Sequence, residues 1–391
     1  MNKNDDLNKN VIMNTYAQLP NVFTHGEDVY LYDSEGNKYL DFVAGIAVNG
    51  LGYSNETLKT ALKNQIDQLI HVSNLYYTDT ELKAANKLVK HIGLDKVFFC
   101  NSGAEAVEAA IKLARKYAKH KGYDKANEII TMKNSFHGRT MGAISVTGQT
   151  KYQKGLDPLL PGIHYAQYND FESVKALVSD ATCAILLEVI QGEGGIVMAE
   201  KEFLTQVKQL CVDKDIVLIF DEVQTGIGRT GFPCGYMIYD VKPDIIALAK
   251  GLGAGVPVGA MLATNEVACG FNPGDHASTY GGNPLVCSAV NVVMDEVLSE
   301  DMLAHIKEMG DYLKTQLLEL KNSFACIKEV KGIGLIQGIS LTYPPKELTA
   351  RAYEKNLLLV GAGTDVVRFV PPFTIQKKHI DDMIGILKEV L

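Results

Sequence analysis

From about residue 80 to residue 265 the chain repeats one pattern: a short apolar, β-branched run followed by an amphipathic stretch of helical period. The candidate strands are 97–100, 128–132, 143–147, 184–190, 216–223, 245–249 and 258–263, and the helical stretches between them include 104–120, 171–178 and 201–213. Strands and helices in strict alternation predict βαβ units and a mostly parallel sheet covered on both faces. The run IVLIF before Asp221 is continuous rather than alternating. That is expected of a central strand with both faces buried.

The ends read differently. Within residues 22–46, VYLYDSEGNKYLDF has two alternating segments around a turn at Ser34–Gly36, a small antiparallel unit. After Pro284 a long helical pattern runs to about Leu320; then come IKEVKGIGLIQGISL, a helix near 347–356, and a final strand and helix, an α+β arrangement. No internal repeat, low-complexity tract or Pro-rich linker separates these parts, so they are expected to pack together.

Composition excludes several classes. With 46 acids against 38 Lys and Arg the formal charge is -8, and the cations are scattered. Phosphate neutralisation on nucleic acid needs clustered cations. No apolar stretch reaches the ~18 residues of a membrane span. MNKNDDLNKN at the start carries acids and no apolar core, so neither a secretory signal nor a transit peptide is expected there. The seven cysteines form no C-x-x-C pair, which argues against disulfides and zinc and for reduced, buried thiols in a cytoplasmic protein.

Four segments carry candidate chemistry, each with a plainer alternative. In FDEVQTGIGRTG (220–231), Asp221 closes a buried strand, where a carboxylate is costly without a cationic partner; the alternative is a helix N-cap. In IIALAKGLGAG (245–255), Lys250 stands at a strand mouth, where a lowered pKa makes an amine nucleophilic toward aldehydes; the alternative is a snorkelling surface lysine. The glycines there lack dinucleotide-loop spacing. In CNSGAEAVEAAIKLARKYA (100–118), Asn101-Ser102-Gly103-Ala104 opens a helix whose free N–H groups suit a phosphate; the alternative is a capping box of Ser102 and Glu105. In SFHGRTMGAISVTG (135–148), Phe136 could stack on a ring and Arg139 could clamp a carboxylate; either could equally be a core or surface residue. Together the four supply the needs of one cofactor: a lysine for an aldehyde, an acid for a ring nitrogen, a helix start for a phosphate and an aromatic for a ring face.

These segments, in this order, resemble the class III, ornithine-type aminotransferases that use pyridoxal 5'-phosphate (PLP), and the acetylornithine group most of all. The resemblance runs from about Val11 to the C-terminus, through LDFVAGIAVNGLG (40–52), HVSNLYYT (71–78), NSGAEAVEAAIKLAR (101–115), SFHGRT (135–140), EVIQGEGG (188–195), DEVQTGIGRTG (221–231), AKGLGAGVPVGA (249–260), STYGGNPL (278–285) and VVRFVPPF (366–373). It implies an α/β chain of the PLP-dependent transferase fold type I. A large PLP-binding domain over 51–285, with a mixed, mostly parallel sheet, would sit beside a small α+β domain built from 1–50 and 286–391.

The resemblance also implies roles. Lys250 would hold the cofactor's aldehyde and later shuttle a proton, and Asp221 would keep the pyridine nitrogen protonated. Gln224 would meet the phenolic oxygen, Val223 and Phe136 the ring faces, and Ser102, Gly103 and Ala104 the phosphate, with Glu222 counted among the cofactor contacts. Thr279 would reach the phosphate of a neighbouring subunit, which implies a homodimer with shared active sites, and Ser278 would touch substrate there. Arg368 would grip the α-carboxylate of glutamate or 2-oxoglutarate, with Glu193 pairing it when an ω-amine enters. Arg139 would bind the far carboxylate, Tyr16 would lie near that end, and Ser73 and Asn74 would contribute from the other subunit. Two departures from the family pattern are Val189, in place of a proline, and Gly52-Tyr53-Ser54-Asn55-Glu56, expected to weaken the start of the next helix. The implied reaction moves the terminal amine of N2-acetylornithine to 2-oxoglutarate. Ornithine, 4-aminobutyrate, succinylornithine, acetyllysine or succinyldiaminopimelate remain as alternative donors, and an aminomutase, a decarboxylase or a protein that only binds the cofactor as alternative classes.

Overall fold

The computed structural model describes residues 11–391; the readings of residues 1–10 lie outside the described residues. Among the described residues, seven strands form the central sheet in the order Lys96–Cys100, Gly259–Ala263, Ile245–Leu248, Val217–Asp221, Thr182–Leu187, Glu128–Met132 and Ile163–Ala166. Gly259–Ala263 is antiparallel to both neighbours and the remaining pairs are parallel. Six carboxyl ends therefore share one edge of the sheet.

The strand Val217–Asp221 shows why its apolar run is unbroken. Val217 and Ile219 belong to one buried cluster, and Leu218 and Phe220 to another. Alternate side chains point to opposite faces, and both faces are covered. The first cluster includes residues of helix Gly103–His120, among them Ala106, Ala110 and Leu113.

Two readings are corrected. Residues 143–147, expected as a strand, lie in helix Met141–Val146 apart from Thr147, its C-cap. The β-branched composition is overridden by a tertiary cap: Glu108 Oε1 accepts the N–H groups of Gly142 (2.9 Å) and Ala143 (3.2 Å) and the Thr140 hydroxyl (2.6 Å). The helix after Gly52 is not weakened. It spans Glu56–Gln68, and Asn55 caps it by accepting the Leu58 N–H at 2.7 Å. The pattern after Pro284 divides into helices Pro284–Val297 and Glu300–Ser323, with Ser299 capping the second.

The two ends of the chain meet in one sheet. Phe23–Glu27, Tyr30–Asp33 and Lys38–Asp41 pair antiparallel, and Leu357–Leu358 adds to Lys38–Asp41 in parallel. A second sheet orders Ile327–Ile333, Ile336–Leu341, Val366–Phe369 and Val360–Ala362. Among the described residues no helix is long and apolar enough to cross a membrane.

Candidate active site

Ligands of open α/β sheets gather outside the carboxyl ends of the strands. At that edge a cavity of about 330 Å³ is lined by Ser102, Phe136, Asp221 and Lys250, each just beyond or at the end of a different strand. Asp221 pairs in register with Ala247, three residues before Lys250, so the acid and the amine stand on neighbouring strands. Lys250 has a φ of 45°, a left-handed conformation that side chains bearing a Cβ rarely adopt and that clusters at functional sites. It lines the cavity rather than snorkelling to the outer surface. Burial pulls its ammonium below the ordinary lysine range; Glu193, Asp221 and Glu188 oppose that shift, and Arg368 reinforces it.

Asp221 is buried and does not cap a helix. Its Oδ1 accepts the Val223 N–H at 3.0 Å, and its Oδ2 lies 2.7 Å from Nδ1 of buried His137. The Thr147 hydroxyl accepts the His137 backbone N–H at 2.9 Å and so holds the backbone there. Close by, burial raises the Glu188 carboxyl well above the carboxylate range, with Asp221 adding to the effect. Glu188 accepts the N–H groups of Phe136 (3.2 Å) and Gly192 (3.3 Å). Neither His137 nor Glu188 was assigned a role from sequence, although both lie in the segments SFHGRT and EVIQGEGG. Their position just past a strand end was the available signal.

At the helix start, Ser102 Oγ accepts the Glu105 N–H at 3.2 Å. Glu105 does not complete a capping box. Its carboxylate turns to the backbone N–H (2.7 Å) and side chain (2.9 Å) of Asn101. The N–H groups of Gly103 and Ala104 have no acceptor inside the helix, and both residues line the cavity. A Cβ at Gly103 would lie 2.9 Å from both Val223 methyls, so glycine keeps this wall open.

A second charged group adjoins the cavity. Arg368 Nη1 donates to Glu193 (2.6 Å), to Gln224 (2.8 Å) and to the Gly192 carbonyl (3.2 Å). Among the described residues its buried Nε and Nη2 have no partner. Burial alone would raise the Glu193 carboxyl, but Arg368 and Lys250 outweigh it and the net shift is downward. The pair is charged, with donors left over for another anion.

The remaining expected residues lie elsewhere. The Glu222 side chain faces the other way: successive side chains face opposite ways, and its buried carboxyl accepts the N–H groups of Gly235 (2.9 Å) and Tyr236 (2.6 Å), away from the cavity. Arg139 is exposed and stacks on Tyr152 outside the cavity lining. Tyr16 is 76% exposed and makes no part of the cavity. Ser278 and Thr279 line a separate opening. Asn74 ties their loop down by donating to the carbonyls of Ser278 (2.8 Å) and Gly281 (2.9 Å), and Ser73 accepts the nearby N–H groups of Leu75 and Tyr76. Around that loop Leu75, Tyr76, Tyr77 and Tyr280 are each more than 60% exposed, an apolar surface large for a chain in isolation.

A family model described as aminotransferase class-III matches residues 11–391. The acetylornithine aminotransferase of Aquifex aeolicus is 52% identical over 381 residues, covering 97% of this chain and 99% of the relative. That of Clostridium acetobutylicum is 45% identical over 98% and 99%. Among solved structures, an ornithine aminotransferase from Toxoplasma gondii ME49 superposes with a TM-score of 0.93 at 30% identity, covering 97% of this chain and 92% of that one. An N-acetylornithine aminotransferase from Stenotrophomonas maltophilia K279a gives 0.84 at 34% identity, covering 96% of each.

Proposed function

The chain belongs to the class-III aminotransferase family, and from that premise we propose that it transfers the terminal amine of N2-acetylornithine to 2-oxoglutarate, giving N-acetylglutamate 5-semialdehyde and glutamate, a step of arginine biosynthesis. The enzyme is a PLP-dependent transaminase acting on amino acids and 2-oxo acids. One observation carries the reading: Lys250, Asp221 and an anion-accepting helix start open on one cavity, beside a charged Glu193–Arg368 pair. The names of the relatives favour acetylornithine over the alternative donors.

The residues fit PLP. An amine, a buried carboxylate and a helix start with free N–H groups share one cavity, and a Cβ at Gly103 would crowd Val223 on its wall. Lys250 would hold the aldehyde, Ser102, Gly103 and Ala104 the phosphate, Gln224 the phenolic oxygen, and Phe136 and Val223 the apolar walls. Bound PLP supplies an electron sink for a carbon that gives up its proton. Lys250, its amine held below the usual range, takes that proton and returns it. Asp221, oriented by His137, holds a proton on the ring nitrogen. Arg368 stays on Glu193 while an ω-amine occupies the site, and its unused donors receive the α-carboxylate of glutamate in the other half-reaction. Arg139 takes the far carboxylate. A homodimer belongs to the same proposal, because the exposed aromatic surface around Thr279 would be covered by a second copy. So does a cytoplasmic setting, supported by seven free cysteines.

The test is a substrate panel read as half-reaction rates, from the absorbance of the aldehyde form to that of the amine form. Acetylornithine should lead. A clear preference for ornithine or 4-aminobutyrate would replace the donor, and failure to form glutamate in step with product would point to the mutase or decarboxylase class.

A further inference from the structure

We infer that Tyr152 is a positioning residue for substrate: its ring face holds the Arg139 guanidinium beside Phe136, ready for the far carboxylate. The inference rests on the reading of Arg139 given above. Arg139 Cζ lies 4.1 Å from the centroid of the Tyr152 ring and 5.6 Å from that of Phe136. The two rings meet edge to face at 5.6 Å and 79°. Phe136 lines the cavity and Arg139 and Tyr152 do not, so the guanidinium and the Tyr152 ring both sit beside Phe136, just outside the cavity wall.

Local structure makes Tyr152 the fixed member. It lies on the short helix Thr150–Gln153, which two glutamines clamp. Gln149 donates to the Ser135 carbonyl at 2.9 Å, and Gln153 donates to the Thr147 carbonyl at 2.8 Å and to the Tyr165 hydroxyl at 2.8 Å. Arg139 is an exposed residue between Gly138 and the helix that begins at Met141. A free arginine has many rotamers to lose on meeting an anion, whereas one stacked on an aromatic face is already ordered. The ring takes the face of the guanidinium and leaves its N–H edge for a carboxylate. The Lys151 ammonium, 4.7 Å from the same ring, adds positive field there.

The test is a double-mutant cycle on the PLP-loaded enzyme. Tyr152→Leu should raise KM for acetylornithine about three- to tenfold with little change in kcat, and Tyr152→Phe, which keeps the ring face, should hold the parental KM. In an Arg139→Ala background Tyr152→Leu should add nothing. Single-turnover rates with 1,4-diaminobutane, which has no carboxylate, should not respond to Tyr152→Leu. Should the leucine variant fail to fold, Tyr152→Gln serves in the same cycle. An unchanged KM in Tyr152→Leu, additive effects in the cycle, an equal loss with the diamine, or the same loss in Tyr152→Phe would each overturn the inference. If Arg139→Ala itself leaves KM for acetylornithine unchanged, the reading of Arg139 fails; if it raises KM while Tyr152→Leu does not, only the role of Tyr152 fails.

Discussion

Replacing Glu193 by glutamine tests whether Arg368 is a gate or a fixed strut. The substitution keeps the shape of the side chain and removes its charge. In the structure Glu193 gives Arg368 its shortest hydrogen bond, 2.6 Å, and the only anionic one of three; Gln224 and the Gly192 carbonyl supply the others. A hydrogen bond to a charged group contributes about 1.5–3 kcal/mol. That is the energy an incoming α-carboxylate must displace to reach Arg368. Removing most of it favours the glutamate half-reaction by about tenfold to a hundredfold in kcat/KM, relative to the acetylornithine half-reaction. A second effect has a definite sign: Glu193 raises the Lys250 pKa, so its loss lowers that value further. Stopped-flow half-reactions with each donor, repeated across pH, read both effects. If the ratio of the two kcat/KM values is unchanged in Glu193→Gln, the gate reasoning is wrong, because the ion pair would then not compete with substrate.

Three further perturbations follow from named contacts. Lys250→Ala removes the one lysine that lines the cavity among the described residues; turnover should fall below detection in a coupled assay, while dialysis shows PLP still bound through the remaining contacts. Asn55→Ala deletes the cap on Glu56–Gln68 and should cost about 1 kcal/mol in urea unfolding with no change in the acetylornithine KM. For Asp33, burial alone would raise the carboxyl, but hydrogen bonds from Asn37, Asn21 and the Glu35 N–H hold it at about 2. Its pKa is lower folded than unfolded, so its contribution is complete above the unfolded value and is lost as pH falls through the folded one. Between about pH 5 and about pH 3 the parent should lose about 1 kcal/mol more than Asp33→Asn in denaturant titrations.

What was legible in the sequence follows from how far each determinant reaches along the chain. Asp221 and Lys250 stood out because one ends a buried strand and the other follows one closely, and such a strand announces itself locally: Val217 and Ile219 serve one core, Leu218 and Phe220 the other, so no polar residue interrupts the run. Residues 143–147 were misread because what decides their state is Glu108, on a helix more than thirty residues earlier, whose carboxylate takes the N–H groups that a strand would have paired elsewhere. The direction of the Glu222 side chain could not be read from its neighbours alone; one step along an extended chain reverses the face, and its carboxyl serves Gly235 and Tyr236. His137 and Glu188 needed the strand order itself. They follow Glu128–Met132 and Thr182–Leu187, which become neighbours of each other and bring both residues toward Asp221 on Val217–Asp221 only once the sheet is assembled. Their effects on Asp221 then act together. His137 lies within hydrogen-bond distance of one of its oxygens, and burial together with Asp221 raises the Glu188 carboxyl well above the carboxylate range. The surroundings of Asp221 are thus set by three strand ends rather than by its own strand alone.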